Sequence, residues 1–80
     1  MPTVLRIRGY RFYFYAMEGT EAPHVHVDKG AGTIKLWLDD FSVARMEGLK
    51  PSEIREVLCL SREHHQHLLN AWNEFKGRKS

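Results

Sequence analysis

Pro23-His24-Val25-His26-Val27-Asp28, then Lys29-Gly30-Ala31-Gly32 and Thr33-Ile34-Lys35-Leu36-Trp37, is the stretch whose reading decides the fold. Successive residues of a strand alternate faces, so His24, His26 and Asp28 point one way while Val25 and Val27 point the other. Pro23 suits the start of a strand, where a missing N–H is tolerated. A four-residue loop over Lys29-Gly30-Ala31-Gly32 pairs Val27 with Ile34, His26 with Lys35, Val25 with Leu36 and His24 with Trp37. Apolar side chains then share one face of the hairpin.

Upstream, Thr3-Val4-Leu5-Arg6-Ile7-Arg8 and Arg11-Phe12-Tyr13-Phe14-Tyr15 alternate in the same way. A type II′ turn at Gly9-Tyr10 sets Arg8 opposite Arg11, Ile7 opposite Phe12, Arg6 opposite Tyr13 and Leu5 opposite Phe14. Ala16 to Ala22, with Gly19 and two glutamates, reads as a loop. Two hairpins make four antiparallel strands, whose order in the sheet the sequence leaves open.

Downstream, Asp39 to Leu49 fits either a short helix carrying Phe41, Val43, Ala44 and Met46 or a fifth extended piece, ended by Gly48. Pro51 suits a first helical turn, where Ser52-Glu53 adds polar and acidic character. Ile54, Val57, Leu58, Leu68, Leu69, Trp72 and Phe75 then recur at helical spacing, with Gly77 as the stop. One long helix is expected. The fold class is α+β: a small antiparallel sheet of about four strands packed on a long C-terminal helix, with an ambiguous middle segment, in a single domain over residues 1–80.

Composition narrows the function classes. With 80 residues, the chain makes one small domain, which buries only about 60% of its unfolded surface. A net charge of +2 and a pI near 8.9 permit nucleic-acid binding without demanding it. The single cysteine, Cys59, excludes an internal disulfide and a Cys-based zinc site, and reads as a small packed residue. Without an apolar run near 18 residues or a signal-peptide pattern, the expectation is a reduced, cytoplasmic protein with no membrane partner.

One sheet face collects Leu5, Ile7, Phe12, Phe14, Val25, Val27, Ile34, Leu36 and Leu38, and the helix covers it. The other collects Arg6, Arg8, Arg11, Tyr13, Tyr15, His24, His26, Asp28, Lys35 and Trp37, with no second long helix to bury it. It is expected to be at least partly exposed. Such a face is an ordinary solvated surface, a single-stranded nucleic-acid platform of cations and stacking rings, or a protein interface. In the nucleic-acid reading Arg6, Arg8, Arg11 and Lys35 contact phosphates while Tyr13, Tyr15 and Trp37 stack on bases. His24 and His26 are polar surface residues, a general acid–base pair for cleaving an RNA phosphodiester, or half of a metal site completed by another segment or subunit. A single ion does not hold His24, His26 and Asp28 together, because four residues of strand span about 13 Å. In the helix, Glu63 and His67 stand four apart, and His64 or His65 sits at the core edge as a hydrogen-bonded residue.

Met1-Pro2-Thr3-Val4, Gly9-Tyr10-Arg11-Phe12-Tyr13-Phe14-Tyr15, Pro23-His24-Val25-His26-Val27, Trp37-Leu38-Asp39 and Leu68-Leu69-Asn70-Ala71-Trp72 occur in an order that resembles a family of short bacterial proteins, domain of unknown function 4160. The resemblance covers nearly the whole chain. The family's Pro-His-x-His-Val signature falls on Pro23, His24, His26 and Val27, its aspartate after Trp-Leu on Asp39, and its helical histidine on His64. Asp40 stands where many relatives carry proline. The resemblance implies a small protein encoded beside another small domain, in arrangements like toxin–antitoxin pairs, and supplies no catalytic residues.

The function expected is a toxin–antitoxin-type component that engages RNA through the basic, aromatic and histidine face. In its sharper form it is a metal-independent ribonuclease with His24 and His26 catalytic and no cofactor. The alternative is a non-enzymatic protein-binding module of a two-protein regulatory complex. The expected partners are RNA, a small protein encoded nearby and a second copy in a homodimer.

Overall fold

Alternating side chains become five strands in the computed structural model, which describes residues 3–14 and 22–77, with side chains through Phe75. Tyr15 and all but the last residue of the Ala16–Ala22 loop lie outside the described residues. The strands are β1 (Thr3–Ile7), β2 (Tyr10–Tyr13), β3 (His24–Lys29), β4 (Gly32–Trp37) and β5 (Val43–Glu47), followed by helices α1 (Pro51–Glu63) and α2 (His65–Gly77). The sheet runs β1-β2-β3-β4-β5, each strand antiparallel to its neighbour. The domain is α+β, with five strands where about four were expected.

The β3–β4 hairpin has the predicted register, His24↔Trp37 through Val27↔Ile34. Its turn is tighter than expected, because Lys29 also pairs with Gly32. The β1–β2 hairpin differs. Arg8 and Gly9 carry φ of +55° and +84°, the left-handed pair that a type I′ turn needs. The turn therefore lies one residue earlier than Gly9-Tyr10, and Arg6↔Arg11, Leu5↔Phe12 and Ile7↔Tyr10 replace the expected pairs. The register slips by two residues, so Leu5, Arg6 and Ile7 keep their faces, but Arg8 moves into the turn and a bulge between Thr3 and Leu5 brings Thr3 round to face Tyr13. Arg6, not Arg8, opposes Arg11, and Tyr10 enters the core.

The ambiguous segment is a strand. β5 pairs with β4 through Thr33↔Glu47, Ile34↔Met46 and Lys35↔Arg45. The link from β4 closes on Trp37, whose N–H donates to Ser42 O and whose carbonyl accepts from Phe41 N–H. Asp40 accepts from both the Ser42 N–H (2.9 Å) and the Ser42 hydroxyl (2.7 Å). Those bonds hold its carboxyl below the usual range and close the turn locally.

The helical stretch is broken, not continuous. His64 sits between α1 and α2 with φ −110° and ψ 24°. The apolar stripe lapses between Leu60 and Leu68, where Glu63 to His67 are polar. Val57 and Leu60 from α1 and Leu68 and Trp72 from α2 nonetheless join one core with Phe12, Phe14, Val25, Val27, Ile34, Leu36 and Leu38. The break thus re-aims the stripe so that both halves lie on the sheet. No helix among the described residues is long and apolar enough to cross a membrane.

Candidate functional site

Register places the outer-face side chains in two rows across the strands. Arg6, Arg11, Asp28, Thr33 and Glu47 form one row, and Thr3, Tyr13, His26, Lys35 and Arg45 the next. His24 and Trp37 pair beyond them.

The rings in these rows pack on one another. Tyr13 stacks on His26 with centroids 5.4 Å apart and planes 22° from parallel. His26 meets His24 edge-on at 5.3 Å, and His24 meets Trp37 at 5.8 Å. The Arg11 guanidinium lies 4.6 Å over the Tyr13 ring and the Lys35 ammonium 4.9 Å over Trp37, so a cation sits over a ring at each end of the array. Tyr13 Oη–H donates to Asp28 at 3.0 Å and Arg11 Nε–H to Thr3 Oγ1 at 2.9 Å.

The outer face is therefore only partly open. Tyr13 is 4%, His24 0% and His26 8% exposed, whereas Arg6 and Arg45 are exposed and Arg11, Lys35 and Trp37 half-buried; Arg8, expected on this face, lies in the turn beside Glu56 of α1. Two expectations change. Tyr13 does not offer a free stacking face, because His26 and Arg11 already occupy it. His24 lies beneath its neighbours, away from the surface on which an acid–base pair was expected. It has no surface for a substrate to touch, and its Nδ1 sits 2.8 Å from Ala22 O. A carbonyl only accepts, so that nitrogen carries the proton. Trp72 of α2 also packs 5.1 Å from the His24 ring, a covering that strand alternation does not reveal.

His26 instead borders a concavity of about 150 Å³ with Tyr13, Thr33, Lys35, Arg45 and Glu47. Arg45 and Glu47 were missed from sequence because their segment had no assigned secondary structure. Once β5 is a strand, period-two alternation puts both on the outer face.

The helical histidines serve as fasteners. His65 Nε2 lies 3.1 Å from Leu38 O, with its ring 4.8 Å from Phe41, and His67 Nε2 lies 2.9 Å from Val4 O. His65 is the expected hydrogen-bonded histidine at the core edge. His67 is tied to β1 and not paired with Glu63. Cys59 is exposed, not packed, with its Sγ 3.9 Å from Glu63 Oε2. Among the described residues, no group of three or more His, Cys, Asp or Glu comes together to hold a metal ion.

A second polar cluster pins the first hairpin to α1. Tyr10 Oη–H donates to Glu56 Oε1 at 2.9 Å, and Arg8 reaches Glu56 Oε2 at 3.3 Å. The Tyr10 bond chiefly, with Arg8 and Lys29 nearby, lowers the Glu56 pKa from its ordinary 4.5. Burial first, then Glu56, pushes the Tyr10 phenol up from 10.0 to about 12. The Glu56 contribution to stability is present above pH 4.5 and is lost as pH falls below it. The folded state keeps the Tyr10 proton that the unfolded chain releases above pH 10, so stability declines between pH 10 and 12. Thermal unfolding followed from pH 3 to 11 is expected to show both limbs. Tyr10→Phe is expected to flatten the alkaline limb, and an unchanged limb would mean that Tyr10 is not its source.

The sequence profile of a family described as "Domain of unknown function (DUF4160)" matches residues 9–73. No curated protein and no solved structure matches the chain.

Proposed function

Because this chain belongs to the DUF4160 family, a domain of unknown function, its activity must be read from its own surface, and we propose that it is a toxin–antitoxin-type protein that binds single-stranded RNA across the outer face of its sheet. One observation carries the reading. Arg6 stands directly opposite Arg11, and Lys35 directly opposite Arg45, on that same face. Like charges set opposite each other on neighbouring strands destabilise a sheet; Asp28 across from Arg11 offsets part of that cost, and a polyanion lying over the face adds to the offset. The pairs lie on opposite sides of a sheet about 19 Å across, a span that suits an extended phosphate backbone. Half-buried Trp37 beside Lys35 supplies one ring edge for a base. The toxin–antitoxin setting rests on the family resemblance alone.

Arg6 and Arg45 are exposed, so removing them leaves the core intact. Fluorescence anisotropy with labelled single-stranded RNA is expected to show affinity falling linearly in log–log with salt. Arg6→Ala and Arg45→Ala are each expected to reduce the slope by about 0.7 and the affinity about fivefold at 0.1 M salt. A salt-independent interaction, or none at low salt, would end this reading. A protein partner is the second reading, favoured by β5, a wholly exposed edge strand on which Val43 is 46% and Met46 41% exposed.

A further inference from the structure

We propose that the concavity bordered by Tyr13, His26, Lys35, Arg45 and Glu47 is an acid–base site for cleaving RNA by internal transesterification, with Glu47 as base and His26 as acid. The inference rests on the RNA reading above and assigns that surface a reaction.

The placement comes from register. His26 on β3, Lys35 on β4 and Arg45 on β5 occupy one row, so His26 and Arg45 stand about 10 Å apart across the sheet. Glu47 follows Arg45 by two residues on the same face, about 7 Å along the strand, and sits opposite Thr33. The imidazole and the carboxylate thus approach the hollow from different strands, with Lys35 and Arg45 in the same row as His26 and Glu47 in the row beside it. The hollow, about 150 Å³, is far larger than the roughly 10–15 Å³ that one water requires. It has room for a phosphodiester group.

The chemistry follows from these groups. The Glu47 carboxylate takes the proton from a ribose 2′-hydroxyl. The freed oxygen attacks the adjacent phosphorus as the bond from phosphorus to the 5′-oxygen breaks. The His26 imidazolium gives its proton to the departing 5′-oxygen. The products are a 2′,3′-cyclic phosphate and a 5′-hydroxyl, with no oxidant or co-reactant consumed. Lys35 and Arg45 balance the charge that builds on the non-bridging oxygens. The stack with Tyr13 and the edge contact with His24 hold the His26 ring in one orientation, as a proton donor in a fixed geometry requires. His24 is a positioning residue in this scheme.

The test pairs cleavage with binding on the same protein. Wild type, Glu47→Gln and His26→Gln are incubated with 5′-labelled single-stranded RNA and with the same oligonucleotide carrying deoxyribose throughout. Circular dichroism reports the fold of each variant, and anisotropy its RNA affinity. Exposed Glu47 gives a variant that tests the site even if the change at packed His26 unfolds the chain. The proposal expects products ending in cyclic phosphate from the ribose substrate only, and rates about 10²–10⁴-fold lower in Glu47→Gln. That variant is also expected to keep its RNA binding. RNA bound but uncleaved by wild type would overturn this inference and leave the RNA reading standing. Cleavage of the deoxyribose strand, or cleavage unchanged in Glu47→Gln, would overturn it as well. Absence of binding would overturn both.

Discussion

Replacing Trp72 by alanine is expected to cost about 3–5 kcal/mol of stability, the range for removing a large buried aromatic side chain. Trp72 meets Phe14 edge-on at 5.2 Å, Phe75 at 6.1 Å and His24 at 5.1 Å. It therefore joins the helical layer to the sheet core and covers the buried histidine at the same time. A domain of 80 residues is stabilised by only about 4–12 kcal/mol in total, at roughly 0.05–0.15 kcal/mol per residue. The variant should thus unfold at a urea concentration lower by about 2 M or more. Trp72→Phe keeps an aromatic edge against Phe14 and is expected to lose less than half as much. The alanine variant should also change the His24 imidazole resonances, since the ring that covers them is gone. A loss below about 1 kcal/mol would mean that α2 does not pack on the sheet as described.

Gly32→Ala is expected to be the more damaging of the two glycine changes at the β3–β4 hairpin. A Cβ at Gly32 would stand 2.5 Å from Leu49 Cδ2 and 2.6 Å from the backbone oxygen of Gly48. The leucine can rotate, but the carbonyl belongs to the turn that ends β5 and cannot move without shifting the strand. Overpacking of this kind costs about 1–3 kcal/mol, and occasionally more. Gly30, two residues away, supplies the control. It has φ of +57° with nothing within 4 Å of an added Cβ, so Gly30→Ala meets only the backbone penalty of about 1–2 kcal/mol for a left-handed alanine. The two costs have different origins, steric at Gly32 and conformational at Gly30. Chemical denaturation of both variants is expected to rank Gly32→Ala as the less stable. The reverse order would contradict the close approach of β5 to the start of β4.

How much of this molecule was legible in its sequence depended on the range of the interactions involved. Alternation is a property of the strand itself, so Val25, Val27, Ile34 and Leu36 declared their face without any partner in view. The β3–β4 register followed because apolar residues had to meet across a short loop. At the first hairpin the same logic kept the faces of Leu5, Arg6, Ile7, Arg11 and Phe12 but missed the turn by one residue and the bulge at Thr3. Arg8 carries a positive φ, which a glycine-centred reading assigns to its neighbour. The candidate site was half legible. His26 and Lys35 stood out by residue type and spacing, whereas Arg45 and Glu47 lay in a segment whose alternation is too weakly apolar to declare a strand.

The sequence by itself determined the α+β class, the two-faced sheet, the pairing of His26 with Lys35 and the start of the helical region at Pro51. Each of these depends on neighbours close along the chain or just across one turn. Only the tertiary structure decided that β5 joins β4, that the helical region breaks at His64 and which side chains of the partly exposed face, Tyr13, His24 and His26, are buried. Pairing at a sheet edge, the aim of a helix and the covering of His24 by Trp72 bring together residues remote in sequence. A strand's periodicity states which way a side chain points, but not what will come to lie over it.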